Sequence, residues 1–347
     1  MRAIFRGLDR NFSHTRIGGL CLILLTTGAG VTGGAEARPP SYTYADLVKR
    51  LTDLEYLATL PDPEEKTAQW SSYDRASKYD EKSGKYLHWD ANGDGYGIIR
   101  RENGKQVLAE MQGPGCIWRT WSAAPKEGHV RIYLDGASEP AVDLPFAGYF
   151  DRQNEPFTRP ALVHTVAQGC NNYTPIPYQK SCKIVADPGW GAYYHFVYST
   201  FPAGTQVPTF KRELSSEDAA ALDAADKLLT NCGPRVAAEI QQKGEVLLAV
   251  NGNKAVSFPG AGAISLLRVK VDLPPAPADR DPLRELEIQI RWDGEKSASV
   301  WSPLGDFFGT APGVNEYRSY PCGMSPDGWF YANWFMPFAK GAEIKFA

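Results

Sequence analysis

Histidine, methionine and net charge are what this chain has least of. Its 347 residues include five histidines and four methionines. No two histidines fall at the short spacing of a metal-ligand pair, which sets aside a zinc site built on imidazoles. Lys and Arg total 37 against 40 Asp and Glu, a net charge of −3, and that near balance leaves no electrostatic footprint for nucleic acid. Long hydrophobic runs are confined to the first forty or so residues, so no later segment approaches the length of a membrane span. Cysteine is sparse as well. Beyond the N-terminal region there are Cys116, Cys170, Cys182, Cys232 and Cys322, an odd number for an exported protein. A Cys170–Cys182 bridge would close a short loop; isolated buried thiols are the alternative.

The N-terminus carries Arg2, Arg6, Arg10 and Arg16, then the apolar run "IGGLCLILLTTGAGV", then the small-residue site Ala35-Glu36-Ala37. This order predicts a secretory signal peptide over residues 1–37, cleaved after Ala37, and hence a periplasmic or extracellular protein. Cys21 lacks a lipobox-like context, so no lipid anchor is expected.

The strongest internal signal is a duplication. The stretch "IYLDGASEPAVDLPFAGYF" from Ile132 to Phe150 returns 158 positions later as "IRWDGEKSASVWSPLGDFF", from Ile290 to Phe308. Ile132/Ile290, Asp135/Asp293, Gly136/Gly294, Val142/Val300, Pro145/Pro303 and Phe150/Phe308 are identical pairs. Each copy reads as a strand, an Asp-Gly turn and a second strand stopped by Pro. Shared turn chemistry at a constant offset is the mark of duplicated units. The copies differ most in charge: Glu295 and Asp306 stand where the first copy has Ala137 and Gly148.

The resulting expectation is an all-β fold of two duplicated antiparallel jelly-roll-like β-sandwich domains, with an N-terminal helix and a connecting helix. Residues 38–66 form the N-terminal helical segment, with a helix predicted over 43–58 from Leu47, Leu51 and Leu54 on one face and a cap at Thr43 and Asp46. The first sandwich spans 67–212. A connecting helix spans 213–234, N-capped by Ser215 and stopped by Gly233-Pro234. The second sandwich spans 235–347; "GAEIKFA" reads as a strand in progress, so this domain is expected to lack its last strands.

Four segments depart from ordinary sandwich sequence. In "SSYDRASKYDEKSGKYLHWDANGDGYG", Tyr73, Asp74 and Arg75 are candidate substrate contacts. Asp90, Asn92 and Asp94 alternate as in the opening of a calcium loop. Arg101 at the twelfth position excludes an EF-hand, leaving a looser structural calcium site or a polar hairpin loop. "GPGCIWRTWSA" offers Trp118 and Trp121 beside Arg119 as candidate contacts, with buried core tryptophans as the default reading. "HTVAQGCNNYTPIPYQKSCKI" offers Asn171 and Asn172 as donors and acceptors for hydroxyls, or as loop formers. The fourth, "WDGEKSASVWSPLGDFFGTAPGVNEYRSYPCGMSPDGWFYANWFMPF", combines Glu295, Asp306 and Glu316 with Arg318, Trp329 and Trp334. Carboxylates beside flat rings suit a sugar, whose apolar face stacks while acids bind hydroxyls or move protons.

"SSYDRASKYD…NGDGYG", "GPGCIWRTWS", "RIYLDG…VDLPF" and above all "RWDGE…SVWSPLGDFFG" resemble glycoside hydrolase family 172, formerly domain of unknown function 2961, from about Ala58 onward. The resemblance implies a double jelly roll forming homotrimers or hexamers. It also implies hydrolysis of furanosides, either α-D-fructofuranosides or D-arabinofuranosides, by two glutamates with no cofactor. Those glutamates match Glu295 and Glu316 best, with Glu316 as nucleophile, Glu295 as acid and base, and Asp306 and Arg318 orienting hydroxyls. Trp301, aligned with Asp143, stands where the family often has an acid, a departure that bears on activity. The competing reading is a non-catalytic carbohydrate-binding or structural protein on the same fold.

Overall fold

The computed structural model describes residues 40–89, 93–235 and 252–347, together with the backbone course of the strands Leu20–Thr26 and Ile240–Val246. The chain divides into two compact units, one of residues 32–231 and one of residues 1–31 with 232–347. No helix among the described residues is long and apolar enough to cross a membrane.

Helix α1 (Tyr44–Arg50) begins at Thr43, whose side chain accepts from the Asp46 backbone N–H while Asp46 accepts from Thr43 in return. This reciprocal cap satisfies donors that the first helical turn leaves free. The helix stops eight residues short of its predicted end at residue 58. Thr52 and Asp53 intervene, and the Asp53 side chain accepts from the Tyr56 N–H to open a separate 3-10 turn, Tyr56–Ala58. Short polar side chains that bond the nearby backbone favour such breaks. Helix α2 (Ser216–Thr230) is N-capped by Ser215 as predicted and ends at Asn231. It buries Leu222 and Ala225 and is tied to Arg159 and the Ala161 N–H through Asp223 and Asp226, so it belongs to the first unit.

The first unit is a sandwich of two antiparallel sheets. One runs Val142–Pro145, His129–Leu134, Ser181–Ala186, Lys105–Gln112, Arg100–Glu102. The other runs Val163–Val166, Gly169–Asn172, Gly115–Ser122, His195–Thr200, Lys66–Ser71, with Ile176–Tyr178 also on Gly115–Ser122. Strand His129–Leu134 alternates half-buried and buried residues, placing Val130, Ile132 and Leu134 in a core with Ile117, Phe146, Tyr149, Ile184 and Phe196. A one-residue slip would carry those three side chains to the other face, at roughly 2 kcal/mol each. That loss rivals the whole stability of a small domain, so the register cannot drift.

The second unit repeats the plan. Strand Glu287–Trp292 lies between Val300–Pro303 and Gly341–Phe346, with Lys254–Pro259 outermost. The facing sheet runs Ile240–Val246, Leu20–Thr26, Gly262–Val271, Phe330–Ala332, Cys322–Met324, and Met336–Phe338 also pairs with Gly262–Val271. The pairs Val142↔Ile132 and Pro145↔His129 recur as Val300↔Ile290 and Pro303↔Glu287, which establishes the duplication at the level of register. Leu20–Thr26, within the stretch that reads as an export leader, is here a central strand; Ala37 lies outside the described residues.

Asp135 (φ 55°) and Gly136 (φ 80°) are both left-handed, as are Asp293 (φ 54°) and Gly294 (φ 83°), the geometry of a two-residue hairpin turn. Each Asp also reaches across its sheet. Asp135 accepts from the backbone N–H groups of Gln179, Lys180 and Ser181 and from the Thr209 hydroxyl. Asp293 accepts from Lys340 and Gly341. Burial pushes the Asp135 carboxyl up, and the four hydrogen bonds outweigh it, leaving its pKa below the ordinary carboxylate range. A depressed carboxyl stabilises the fold above its unfolded pKa of about 4 and loses that contribution as pH falls through the lower folded value. Asp135→Asn keeps the left-handed turn and removes the charge. It is expected to lower first-unit stability by about 1–2 kcal/mol at pH 7 and to flatten the decline below pH 4, measured by denaturant unfolding across pH. Equal acid sensitivity in the variant would show that the carboxylate does not carry it.

Candidate functional site

The three candidate acids all lie in the second unit, in separate settings. Glu295 follows the Asp293-Gly294 turn; its carboxylate accepts from the Ser299 hydroxyl and, at 3.4 Å, from the Trp292 N–H. Asp306 lies in the short helix Leu304–Phe307 and is paired with the Arg284 guanidinium. Glu316 is an exposed residue in the loop between helix Leu304–Phe307 and strand Cys322–Met324. The structure therefore gives Glu295 and Asp306 different partners and does not join them in one hydrogen-bonded pair.

The outward face of the repeated hairpin shows how the copies diverge. In the first, Asp143 accepts from His129 Nδ1 at 2.6 Å and Arg131 Nε at 2.8 Å. The corresponding positions of the second are Trp301, Glu287 and Gln289, and the Trp301 indole N–H donates to Glu287 at 2.8 Å. The carboxylate has moved to the neighbouring strand, and Trp301 stands 70% exposed beside it. Elsewhere in this unit the Arg268 guanidinium lies 4.9 Å over the Trp329 ring and pairs with Asp327 at 3.3 Å. Arg318 bridges to Gly323 through its backbone, and Trp334 is 39% exposed.

In the first unit, strand pairing assembles a polar and aromatic cluster. Trp121 faces Asn171 on one neighbouring strand and His195 on the other, with the Trp121 and His195 rings 4.5 Å apart. Arg119 donates to the buried Asn171 oxygen from Nε at 3.1 Å and Nη2 at 2.8 Å. The Arg119 guanidinium lies 5.8 Å from both the Trp121 and the Tyr173 ring. A Cβ on Gly169 would fall 2.5 Å from Trp121 Nε1, so only glycine leaves room for the indole. Burial lowers the His195 pKa, the Arg119 charge lowers it further, and Asp94 acts the other way.

Other expected contacts are structural or lie apart. Asn172 is buried, donating to the Tyr149 carbonyl and accepting from the Thr174 N–H. Arg75 folds back over the Tyr73 ring and donates to the Ser71 carbonyl, while Asp74 accepts from the Ala76 N–H. Trp118 is the unpaired residue where the register shifts against His195–Thr200, and its contacts differ from those of Trp121. It donates to Ser199 and lines a cleft of about 380 Å3 with Arg50, Tyr56 and Glu65. There Arg50 and Glu65 form a nearly buried ion pair at 2.9 Å, with the Tyr42, Tyr56, Trp118 and Phe201 rings 4.4–6.0 Å from the guanidinium. Cys170 and Cys182 are free thiols, which corrects the bridge considered above. Asp90 and Asn92 of the calcium reading lie outside the described residues; Asp94 is exposed. No group of three metal-ligating side chains occurs among the described residues. Residues the sequence reading missed are His195, whose place opposite Trp121 depends on long-range pairing, and Glu287, which no motif marks.

Two family models match in tandem: GH172 first beta-sandwich domain over residues 63–218 and GH172 domain-like over residues 239–347. The chain belongs to the GH172 family. No curated protein matches it. Membership in GH172 makes a glycoside hydrolase-like protein the coarse description, and the sandwich architecture agrees with it.

The cluster around Trp121 is testable directly. Arg119→Gln should raise the His195 pKa, without restoring the ordinary imidazole value because burial is the larger influence. NMR titration of the His195 ring measures this; an unchanged midpoint would mean that Arg119 does not act on it.

Proposed function

We propose that the chain is an exported retaining hydrolase of furanosides, α-D-fructofuranosides or D-arabinofuranosides, assembled as a homotrimer or hexamer. The observation that carries the reading is the tandem GH172 match across both sandwiches. Of the candidate acids, Glu295 and Glu316 fit the two-carboxylate scheme. The Glu316 carboxylate attacks the anomeric carbon while Glu295 protonates the departing glycosidic oxygen. Glu295 then takes a proton from water, which displaces Glu316 and regenerates both groups. Retention requires the two carboxyl groups roughly 5–5.5 Å apart in the working site. Asp306, held by Arg284, and Arg318 would orient hydroxyls.

A second reading, carbohydrate binding without turnover, is favoured by one specific feature. Trp301 presents an exposed indole fixed by Glu287, a stacking platform for a sugar ring, where the first copy has an acid.

The deciding measurement is release of sugar from synthetic α-D-fructofuranosides and α-D-arabinofuranosides. Glu316→Gln and Glu295→Gln should each lower kcat by about 10²–10⁴-fold or more with little change in Tm, since both side chains are exposed. Azide should restore turnover to an acid/base variant and not in the same way to a nucleophile variant. Full activity in Glu316→Gln with loss in Asp306→Asn would transfer the nucleophile role to Asp306. Absence of turnover, together with sugar binding that Trp301→Ala abolishes, would establish the binder instead.

A further inference from the structure

Residues from several places in the sequence converge on one cleft of the first unit. Arg50 comes from the last turn of α1, Tyr56 opens the 3-10 turn, and Glu65 leads into strand Lys66–Ser71. That strand pairs with His195–Thr200 so that Thr67 faces Ser199. Trp118 completes the wall from the next strand, at the residue the pairing skips. The space they border, about 380 Å3, falls within the size range of small-molecule pockets. None of these residues carries the proposed chemistry, whose acids all lie in the second unit.

The polar groups of the cleft hold one another in place and leave a small surplus among the described residues. Glu65 accepts from Arg50 Nη1 at 2.9 Å, from Arg50 Nη2 at 3.4 Å and from the Tyr56 hydroxyl at 3.3 Å. A carboxylate offers about four acceptor sites, so one stays open. Ser199 Oγ accepts from the Trp118 indole N–H at 2.9 Å and lies 3.2 Å from Thr67 Oγ1. Two hydroxyls bring two hydrogens and their mutual bond uses one, which leaves one donor and spare oxygen lone pairs. The charge sums to zero, because Glu65 matches Arg50 and the remaining Arg50 bond goes to the Tyr42 hydroxyl at 3.0 Å. An anion or a cation could use either charge only by breaking a nearly enclosed pair, which is costly.

We propose that this cleft is a non-catalytic subsite for one neutral sugar residue, built on the first unit while the acids that would cleave the glycosidic bond stand on the second. One sugar hydroxyl donates to the open site on Glu65, another accepts from the Thr67–Ser199 pair, and the C–H face of the ring lies on the aromatic surface of Tyr56 and Trp118. The choice of a sugar among neutral hydroxylated ligands rests on the carbohydrate reading of the family.

The probes are D-fructose and D-arabinose, which carry no glycosidic bond to cleave, and the readout is the indole N–H resonance of Trp118, assigned by its loss in Trp118→Phe. At least one of the two sugars should move this resonance saturably, and sodium sulfate should not. Thr67→Val, which removes one hydroxyl and keeps the shape, should weaken the apparent affinity about 2–10-fold, the worth of one hydrogen bond. Thr67→Trp, at an exposed position of the strand, should fill the cleft and abolish the shift. A saturable Trp118 shift in a protein that releases no sugar from furanosides would uphold the subsite and sink the hydrolase. Sugar release with no Trp118 shift would overturn the subsite and leave the hydrolase standing. A shift that survives Thr67→Trp, or one that sulfate reproduces, would also overturn the proposal.

Discussion

Everything in the two sandwiches is indexed from one interaction, the carboxylate of a left-handed aspartate accepting backbone N–H groups from the strand beside its hairpin. Asp135 and Asp293 do this at equivalent turns, and each thereby ties a hairpin to a third strand. The turn begins the reversal of each hairpin, whose pairing resumes at Val142 opposite Ile132 and at Val300 opposite Ile290. The cross-sheet bonds set which residues of the third strand face the hairpin. Val130, Ile132 and Leu134 in one copy, and Ile288 and Ile290 in the other, are buried as a consequence. A left-handed conformation is costly for most side chains and tolerated by Asp, which is why one residue type can hold both the bend and the bonds.

With the inner face committed, chemical divergence is pushed outward. The trio His129, Arg131 and Asp143 becomes Glu287, Gln289 and Trp301 with no change of register. The same logic separates the clusters of the facing sheets, where Arg119 and Trp121 on one central strand give way to Leu266 and Arg268 on the other. Two copies of one frame can thus carry unlike surfaces without either copy losing stability.

What could be read in advance follows from range. The Thr43–Asp46 cap, the Ser215 cap and the Asp-Gly turns are local, each completed within a few residues, and all stand as read. The duplication was legible because the turn residues recur at one offset. The His195–Trp121 pair was not, since those residues meet only when strands distant in sequence pair. The bulge that leaves Trp118 unpaired against His195–Thr200 is announced by no residue pattern. Leu20–Thr26 has the composition of a leader and of a central strand alike, and composition cannot choose between them. Glu295, Asp306 and Glu316 were legible as unusual acids; which side chains each of them meets depends on contacts beyond any one motif.

The Arg50–Glu65 pair constrains how this protein can change over time. Four aromatic rings surround the guanidinium and both charged side chains are nearly enclosed at the wall of the cleft, so water reaches either only in part. Losing one partner would strand the other at a cost of about 3–5 kcal/mol, whereas replacing both with apolar residues of similar volume can be close to neutral. Positions 50 and 65 therefore form a single heritable unit: lineages can keep both or exchange both, and the intermediate with one altered is a valley between them.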